Sequence, residues 1–399
     1  MVNQTPSVLQ VAREHRQPLG FSVGTYLRSM DWVLLGATLA LVAYGFFMLY
    51  SATHLSFPES PFYYVRSQAI GLIIGFVFLI ALSIANYLWY ARWQIYIYGA
   101  SIIILILTLL VGSGGEDVGA NRWLEYGSFR LQTAELVKFM LILALGAVLA
   151  EGVELRGRFR FIVLSIIYML IPGILIYLQP DLGTSLVLVA ILTVMLVVWG
   201  IRLTHLGILA GAALAAAVLV LRVLPTVFGT TVLKDYQIRR LTLFLDPEMD
   251  RLGGGYQLIQ SKIAVGSGMF SGKGYLQGTQ HNLHFVPERH TDFIFAVIGE
   301  ELGFLGGALL LGLFAIVVWR AFRIARMSRD IYGTLIAAGV AAVLVFQVFV
   351  NIGMTIGIMP VTGLPLPFVS FGSSSLVVFL MAVGLLESIH VHSVAGEAK

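Results

Sequence analysis

What most constrains this chain is a series of ten apolar stretches, each near the roughly 20 residues a helix needs to cross a bilayer core. They fall at 32–52, 67–86, 92–112, 133–151, 160–178, 183–201, 203–228, 296–320, 331–356 and 371–391. A backbone in lipid has no water to bond to, so such runs form helices that satisfy themselves. The second and third runs are the least clearly separated, with only Asn86 to Arg92 as a polar break. Charged residues make up 12% of the 399 positions, against about 25% in soluble domains. The expected fold is an all-α polytopic membrane protein of about ten transmembrane helices. Residues 1–30 read as a polar cytoplasmic tail, lacking the order of a cleavable signal peptide. Residues 31–391 read as a single membrane domain, and 392–399 as a second cytoplasmic tail.

Sidedness follows from Lys and Arg, which concentrate on the cytoplasmic flank of membrane helices. With the N-terminus inside, that flank holds Arg13, Arg16, Arg28, Arg92, Arg156, Arg158, Arg160, Arg202, Arg320, Arg323, Arg326, Arg329 and Lys399. The short outer loops hold only Arg66, Arg122 and Arg130. Both termini are then cytoplasmic, and the long segment 229–295 between the seventh and eighth helices faces outward. The basic residues are sorted by loop and form no single patch, which argues against nucleic acid as a partner. The absence of cysteine excludes disulfides, thiol catalysis and cysteine-ligated metals. No nucleotide is available outside the cytoplasmic membrane, so outward chemistry must use a substrate activated beforehand.

The motifs gather on that outer side. Phe285-Val-Pro-Glu-Arg-His-Thr-Asp-Phe-Ile-Phe295 sets Glu288, Arg289, His290 and Asp292 where a polar loop turns into an apolar run. Ionisable groups at membrane depth are costly to hold, which makes Asp292 a functional-site hypothesis by default. Glu135 and Lys138 share a face at the start of the fourth helix, as a structural ion pair or as part of a substrate path. Trp123 suits an interfacial aromatic belt or a binding surface. In Gln179-Pro-Asp-Leu-Gly-Thr184, Asp181 reads first as a helix cap and second as another carboxylate near Asp292.

The long segment carries Lys262, Lys273 and Arg289 among glycine clusters. It suits either anionic headgroups or a diphosphate held by cations and backbone amides. Gly266 to Gly274 is not a nucleotide phosphate loop, because the spacing is wrong and Lys273 precedes Gly274 instead of Ser or Thr. His281, His284 and His290 lack any closed zinc spacing. A magnesium or manganese ion between Asp292 and phosphate oxygens is chemically more reasonable. The charge-free, three-proline loop from Gly357 to Ser375 must be buried in protein or line a cavity. At its end Ser373 and Ser374 suit an anion site at a helix start, or plain capping.

Together these motifs resemble the SEDS family of shape, elongation, division and sporulation proteins, over about residues 30 to 390. The resemblance rests on Asn121-Arg-Trp123, Gln132 to Lys138, Gln179 to Gly183, Asp246-Pro-Glu248, Gly255-Tyr-Gln257, Gln260 to Gly268, Gly272-Lys-Gly274, Pro287 to Phe293 and Pro360 to Ser375. Gly278-Thr-Gln280 and Pro287 to Phe293, with Arg289, look most like the rod-shape branch, RodA. Two departures stand out. Thr133 replaces a frequent helix-start proline, and Phe371 and Ser373 replace a frequent tyrosine and glycine, so no tyrosine hydroxyl is essential there.

The resemblance implies a peptidoglycan glycosyltransferase that polymerises lipid II, with Asp292 as the essential carboxylate and an inverting displacement. Arg122, Trp123, Glu135 and Lys138 match positions around a central outward cavity, and a class B penicillin-binding protein is the implied partner. Cations drawn from Arg122, Lys138, Lys262, Lys273 and Arg289 would stabilise the leaving diphosphate, with or without a divalent ion. A lipid II flippase, a division polymerase and a docking scaffold are the competing readings.

Overall fold

The computed structural model describes residues 23–395 except 57–58, 115–120, 127–128, 222, 224–234, 251–253 and 284. Its helices are α1 (Val23–Ser29), α2 (Trp32–Thr53), α3 (Tyr63–Ile84), α4 (Leu88–Arg92), α5 (Gln94–Val111), α6 (Thr133–Glu151), α7 (Phe159–Leu178), α8 (Leu182–Trp199), α9 (Leu203–Val218), α10 (Asp235–Leu245), α11 (Gly254–Ser267), α12 (Thr279–Asn282), α13 (Ile294–Met327), α14 (Ile331–Ile356) and α15 (Ser373–Ala395). A two-stranded antiparallel ribbon, β1 (Trp123–Tyr126) and β2 (Phe129–Gln132), pairs Trp123 with Gln132 just before α6. Ten of these helices are long and apolar enough to span a membrane: α2, α3, α5–α9 and α13–α15. They coincide with the ten apolar runs.

Burial sorts them into a centre and a periphery. The apolar windows of α6, α14 and α15 are 83%, 78% and 89% buried, so these three form the middle of the bundle. Around them α3 packs along α15, α2 along α13, and α8 against α14. The corresponding window of α9 is 0% buried, which leaves it at the edge. Among the described residues aspartates cap three helices: Asp31, Asp181 and Asp330 accept from the amides of Leu34 (3.1 Å), Thr184 (2.9 Å) and Gly333 (2.9 Å). Each satisfies one of the amides that a helix start leaves without an internal partner.

Several boundaries differ from the apolar runs. Residues 23–29 are helical where a polar tail was expected, and α15 continues to Ala395, past 391. The polar break between the second and third spans contains its own short helix, α4, with Asn86 Oδ1 accepting from Leu88 N at 3.0 Å. The eighth span extends from the expected 296–320 to Ile294–Met327. Arg320, Arg323 and Arg326 end its apolar composition but not its helix, since each added turn satisfies its own backbone. The end of the expected seventh run, 224–228, lies outside the described residues.

One interruption matters for the site. Gly303 lies inside α13 at φ 61°, ψ −156°, a region that residues with a side chain essentially do not occupy. A Cβ there would also strike Gly272 N and come within 2.8 Å of Gly268 O. At this kink the loop after α11 pairs with α13 like a strand: Lys273 N and Gly274 N donate to Glu300 O and Glu301 O, and Phe304 N and Leu305 N to Met269 O and Phe270 O, at 3.0–3.1 Å. A Gly303→Ala protein should be destabilised by about 3 kcal/mol or more, combining backbone strain with the clash. A thermal melt in detergent reads this as a lowered midpoint, and an unchanged midpoint contradicts the account.

Candidate active site

Asp292 lies one residue before Phe293, the N-cap of α13. Its backbone oxygen accepts from Asn351 Nδ2 of α14 at 2.9 Å, and the same amide nitrogen donates to Leu364 O at 2.8 Å. The Asp292 loop and the α14–α15 loop are thereby tied together. Between them sits Gly363, at φ +77°. A Cβ on Gly363 would lie 3.4 Å from Asp292 Oδ2 and 4.0 Å from Arg240 Nη1, so the carboxylate and the guanidinium converge on one small gap. Arg240, on α10, also donates to Thr362 O at 3.3 Å.

Charge surrounds this carboxylate. Burial pushes Asp292 up to about 6, and the nearby carboxylates of Glu288 and Asp181 add to the rise. Arg240 and Arg122 oppose it. Arg122 reaches the site across the turn between α7 and α8, donating from Nε to Gln179 O at 3.0 Å and from Nη2 to Pro180 O. Asp181 serves both readings of its motif. It caps α8, with Thr184 Oγ1 also bonded at 2.8 Å, and its charge acts on Asp292.

Glu135 and Lys138 form a 2.7 Å ion pair with both side chains buried, and Ser375 Oγ donates to the other Glu135 oxygen at 3.4 Å. The pair lines a small cavity between α6, α14 and α15, walled by Phe139, Val340, Val343 and Phe379. Two buried charges taken from water are held only by each other and by such hydrogen bonds.

The remaining sequence candidates occupy other places. Arg289 is turned to the end of α2, where Nε donates to Ala52 O (2.8 Å) and Nη2 to Ser56 Oγ (2.9 Å). It there meets the negative end of that helix. Lys273 is held by Glu300 Oε1 (2.7 Å) and Thr279 Oγ1 (2.8 Å), and the amides of Gly272, Lys273 and Gly274 all bond to backbone carbonyls. Lys262 is exposed on α11, beside Gly357 at the end of α14. Trp123 is partly buried in β1, its backbone oxygen accepting from Ser113 N at 2.8 Å. Ser373 Oγ donates to Ser67 O (3.0 Å), and Ser374 Oγ to Arg130 O (2.6 Å), so both hydroxyls join helices and loops. His290 packs between Tyr64 and Phe371, and the burial lowers its pKa. His281 and His284 are not described at the side chain.

Of the candidates, the structure brings Arg122 to Asp292, and it adds Arg240, Asn351 and Gly363, which sequence reasoning had not singled out. Asn351 did carry a signal: with Gln347, it is one of two amide side chains in the apolar run 331–356. Among the described residues no three His, Cys, Asp or Glu side chains converge.

A family model described as "Cell cycle protein", FtsW/RodA/SpoVE, matches residues 31–395. The chain belongs to the FtsW/RodA/SpoVE family. It is 37% identical over 372 residues to the probable peptidoglycan glycosyltransferase FtsW of Trichlorobacter lovleyi, covering 91% of this chain and 93% of that one. It is 36% identical over 364 residues to the peptidoglycan glycosyltransferase MrdB of Escherichia coli K12, covering 91% and 94%. A solved chain from a peptidoglycan synthase complex, in work on the coordination of polymerization and crosslinking, superposes with a TM-score of 0.75 at 34% identity, covering 91% and 98%. FtsW- and MrdB-type relatives thus stand at nearly equal distance from this member of the family.

The buried pair gives a direct test. Lys138→Met alone leaves Glu135 buried without its cation and should cost about 3–5 kcal/mol. Adding Glu135→Gln should recover most of that loss, which a comparison of melting midpoints in detergent will show. Equal destabilisation in the single and double variants would contradict the pairing.

Proposed function

We propose that this multi-pass bacterial membrane protein polymerises lipid II into glycan strands, with Asp292 as general base and the site facing outward. Relatives of the stated identity, named peptidoglycan glycosyltransferases and covered over nine-tenths of their length, support the enzyme class. The observation that carries the mechanism is the convergence of Asp292 and Arg240 on Gly363, with Arg122 nearby. An acceptor sugar hydroxyl attacks the anomeric carbon of a lipid-linked donor. A new C–O bond forms on the face opposite the leaving group, the bond to the diphosphate breaks, and the hydroxyl proton passes to Asp292. The diphosphate departs with the electron pair, and Arg240 and Arg122 stabilise its charge. A diphosphate leaves well once so stabilised, so one carboxylate suffices where a glycosidase uses two.

Burial equips the base. A carboxylate raised to about 6 takes a proton more readily than an ordinary aspartate and is still largely ionised at pH 7. A class B penicillin-binding protein belongs to the proposal as partner, supported by the likeness to a chain from a synthase complex. Cell-wall elongation is the proposed setting, on the rod-shape pattern of Gly278-Thr-Gln280 and Pro287 to Phe293. The outward orientation rests on the distribution of Lys and Arg described above.

The test is polymerisation by purified protein, with and without a class B penicillin-binding protein, given lipid II and a divalent salt. Wild type should yield long chains. Asp292→Asn should lose roughly a hundred- to ten-thousand-fold in rate. Because the base must be ionised, kcat/KM should fall as pH drops through about 6, not near 4. Full activity in the Asn variant would sink the base assignment, and transport of lipid II across sealed vesicles without polymer would favour a flippase.

A further inference from the structure

We propose that Asn351 is a positioning residue for glycosyl transfer: its one side-chain amide fixes both walls of the gap in which the Asp292 carboxylate works. The inference rests on the reading of Asp292 as base. Asn351 is fully buried on α14, and its two N–H groups are both committed, one to Asp292 O at 2.9 Å and one to Leu364 O at 2.8 Å. These acceptors belong to two chain segments with no helix or strand of their own at this point. The first is the end of the loop before α13. The second is the α14–α15 loop, in which Gly363 presents its bare Cα to Asp292 Oδ2.

The consequence is geometric. Thr362, Gly363 and Leu364 are consecutive, and each is engaged differently: Thr362 O by Arg240, Gly363 by the Asp292 carboxylate, Leu364 O by Asn351. Asn351 therefore grips the backbone one residue from the carboxylate's neighbour and also the backbone of the carboxylate's own residue. Without that grip, nothing on α14 holds the two loops at a common spacing. The loops would stay joined by Ser370 Oγ to Thr291 O and Phe371 N to His290 O, but Asp292 itself would lose its tie to Leu364, and the direction of Asp292 Oδ2 toward an acceptor hydroxyl would change. Rigid placement of this kind matters strongly, since about 1 Å of misplacement at a reacting group costs about 100-fold in rate.

Asn351 is also on the same stripe of α14 as Val340, Val343 and Gln347, at helical spacings of three and four. Val340 and Val343 line the cavity beside the Glu135–Lys138 pair. The stripe thus runs from that ion pair toward the Asp292 loop, and its last polar positions before the loops are Asn351 and Thr355, whose Oγ1 donates to Asn351 O at 2.8 Å. Asn351 Oδ1 is buried and has no hydrogen-bond partner among the described residues.

Two variants test this in the full-length protein with its partner, scored for polymerisation of lipid II alongside a detergent melt and Asp292→Asn. Asn351→Leu removes both donors and keeps the branching at Cγ, at some cost in added volume. Asn351→Asp keeps the shape but, when ionised, sets a carboxylate against two carbonyls. For every variant that retains a cooperative melt, kcat should fall about 100-fold while KM for lipid II changes by less than about threefold. The acidic limb of the pH profile should also shift, because Glu288, Asp181, Arg240 and Arg122 would then face a differently placed carboxylate. Asn351→Gln should restore part of the rate if it reaches both carbonyls. Unchanged kcat and an unchanged acidic limb in either folded variant overturn the inference, as does a loss of rate that merely tracks the folded fraction. If Asp292→Asn itself polymerises normally, the reading beneath this inference fails instead, whatever the Asn351 variants do.

Discussion

The site depends on one constraint: irregular backbone near a membrane must have its polar groups satisfied by protein. The α14–α15 loop meets it through side chains sent from helices. Asn351 takes Leu364 O, and Gln68 of α3 takes Ser370 O through Nε2 (3.2 Å) and Gly372 N through Oε1 (3.0 Å). Ser370 Oγ donates to Thr291 O at 2.6 Å and accepts from Leu366 N at 2.8 Å. The loop is consequently a fixed object, and residues 290–292 are fastened to it, through His290 O as well as through Thr291 and Asp292. Electrostatics come second. The charges of Arg240, Arg122, Glu288 and Asp181 influence one carboxylate because hydrogen bonds of this kind have already set its place.

The ten spans were legible because they depend on run length and composition, which need no knowledge of contacts. The place of Asp292 just ahead of α13 was legible for the same reason, as a charge at the edge of an apolar run. The cations were not. Lys273 and Arg289 stand in the same outer segment as Asp292, yet Lys273 lies against Glu300 and Arg289 against the end of α2. Nearness in sequence says little about which partner a long side chain will find, and Glu300 and Ala52 come from other elements. Arg240 is 52 positions before Asp292 and reaches it only because α10 folds against the α14–α15 loop.

Glycine carried information of a different type. The run Gly266 to Gly274 drew a phosphate-binding reading from its composition. Its actual constraint is contact with the backbone of the kinked α13: a Cβ on Gly268 would strike Gly299 O, and one on Gly272 would strike Glu301 O. No pattern confined to the run could have revealed that. The mate is Gly303, about 30 residues on, in what reads as an uninterrupted helix.

The fastening of Arg289 to Ala52, and of Gln68 to the α14–α15 loop, also sets an order of events during synthesis. The first two spans supply the anchors, α13 supplies Asp292, and the loop that frames it is made almost last, just ahead of α15. A nascent chain that has inserted nine spans therefore holds the Asp292 carboxylate but not the loop that packs around it. The packing around Asp292 is complete only when the tenth helix is in place along α3. On the reading proposed for Asp292, a partly inserted chain at the membrane is silent by construction, with no separate inhibitor needed to keep it so.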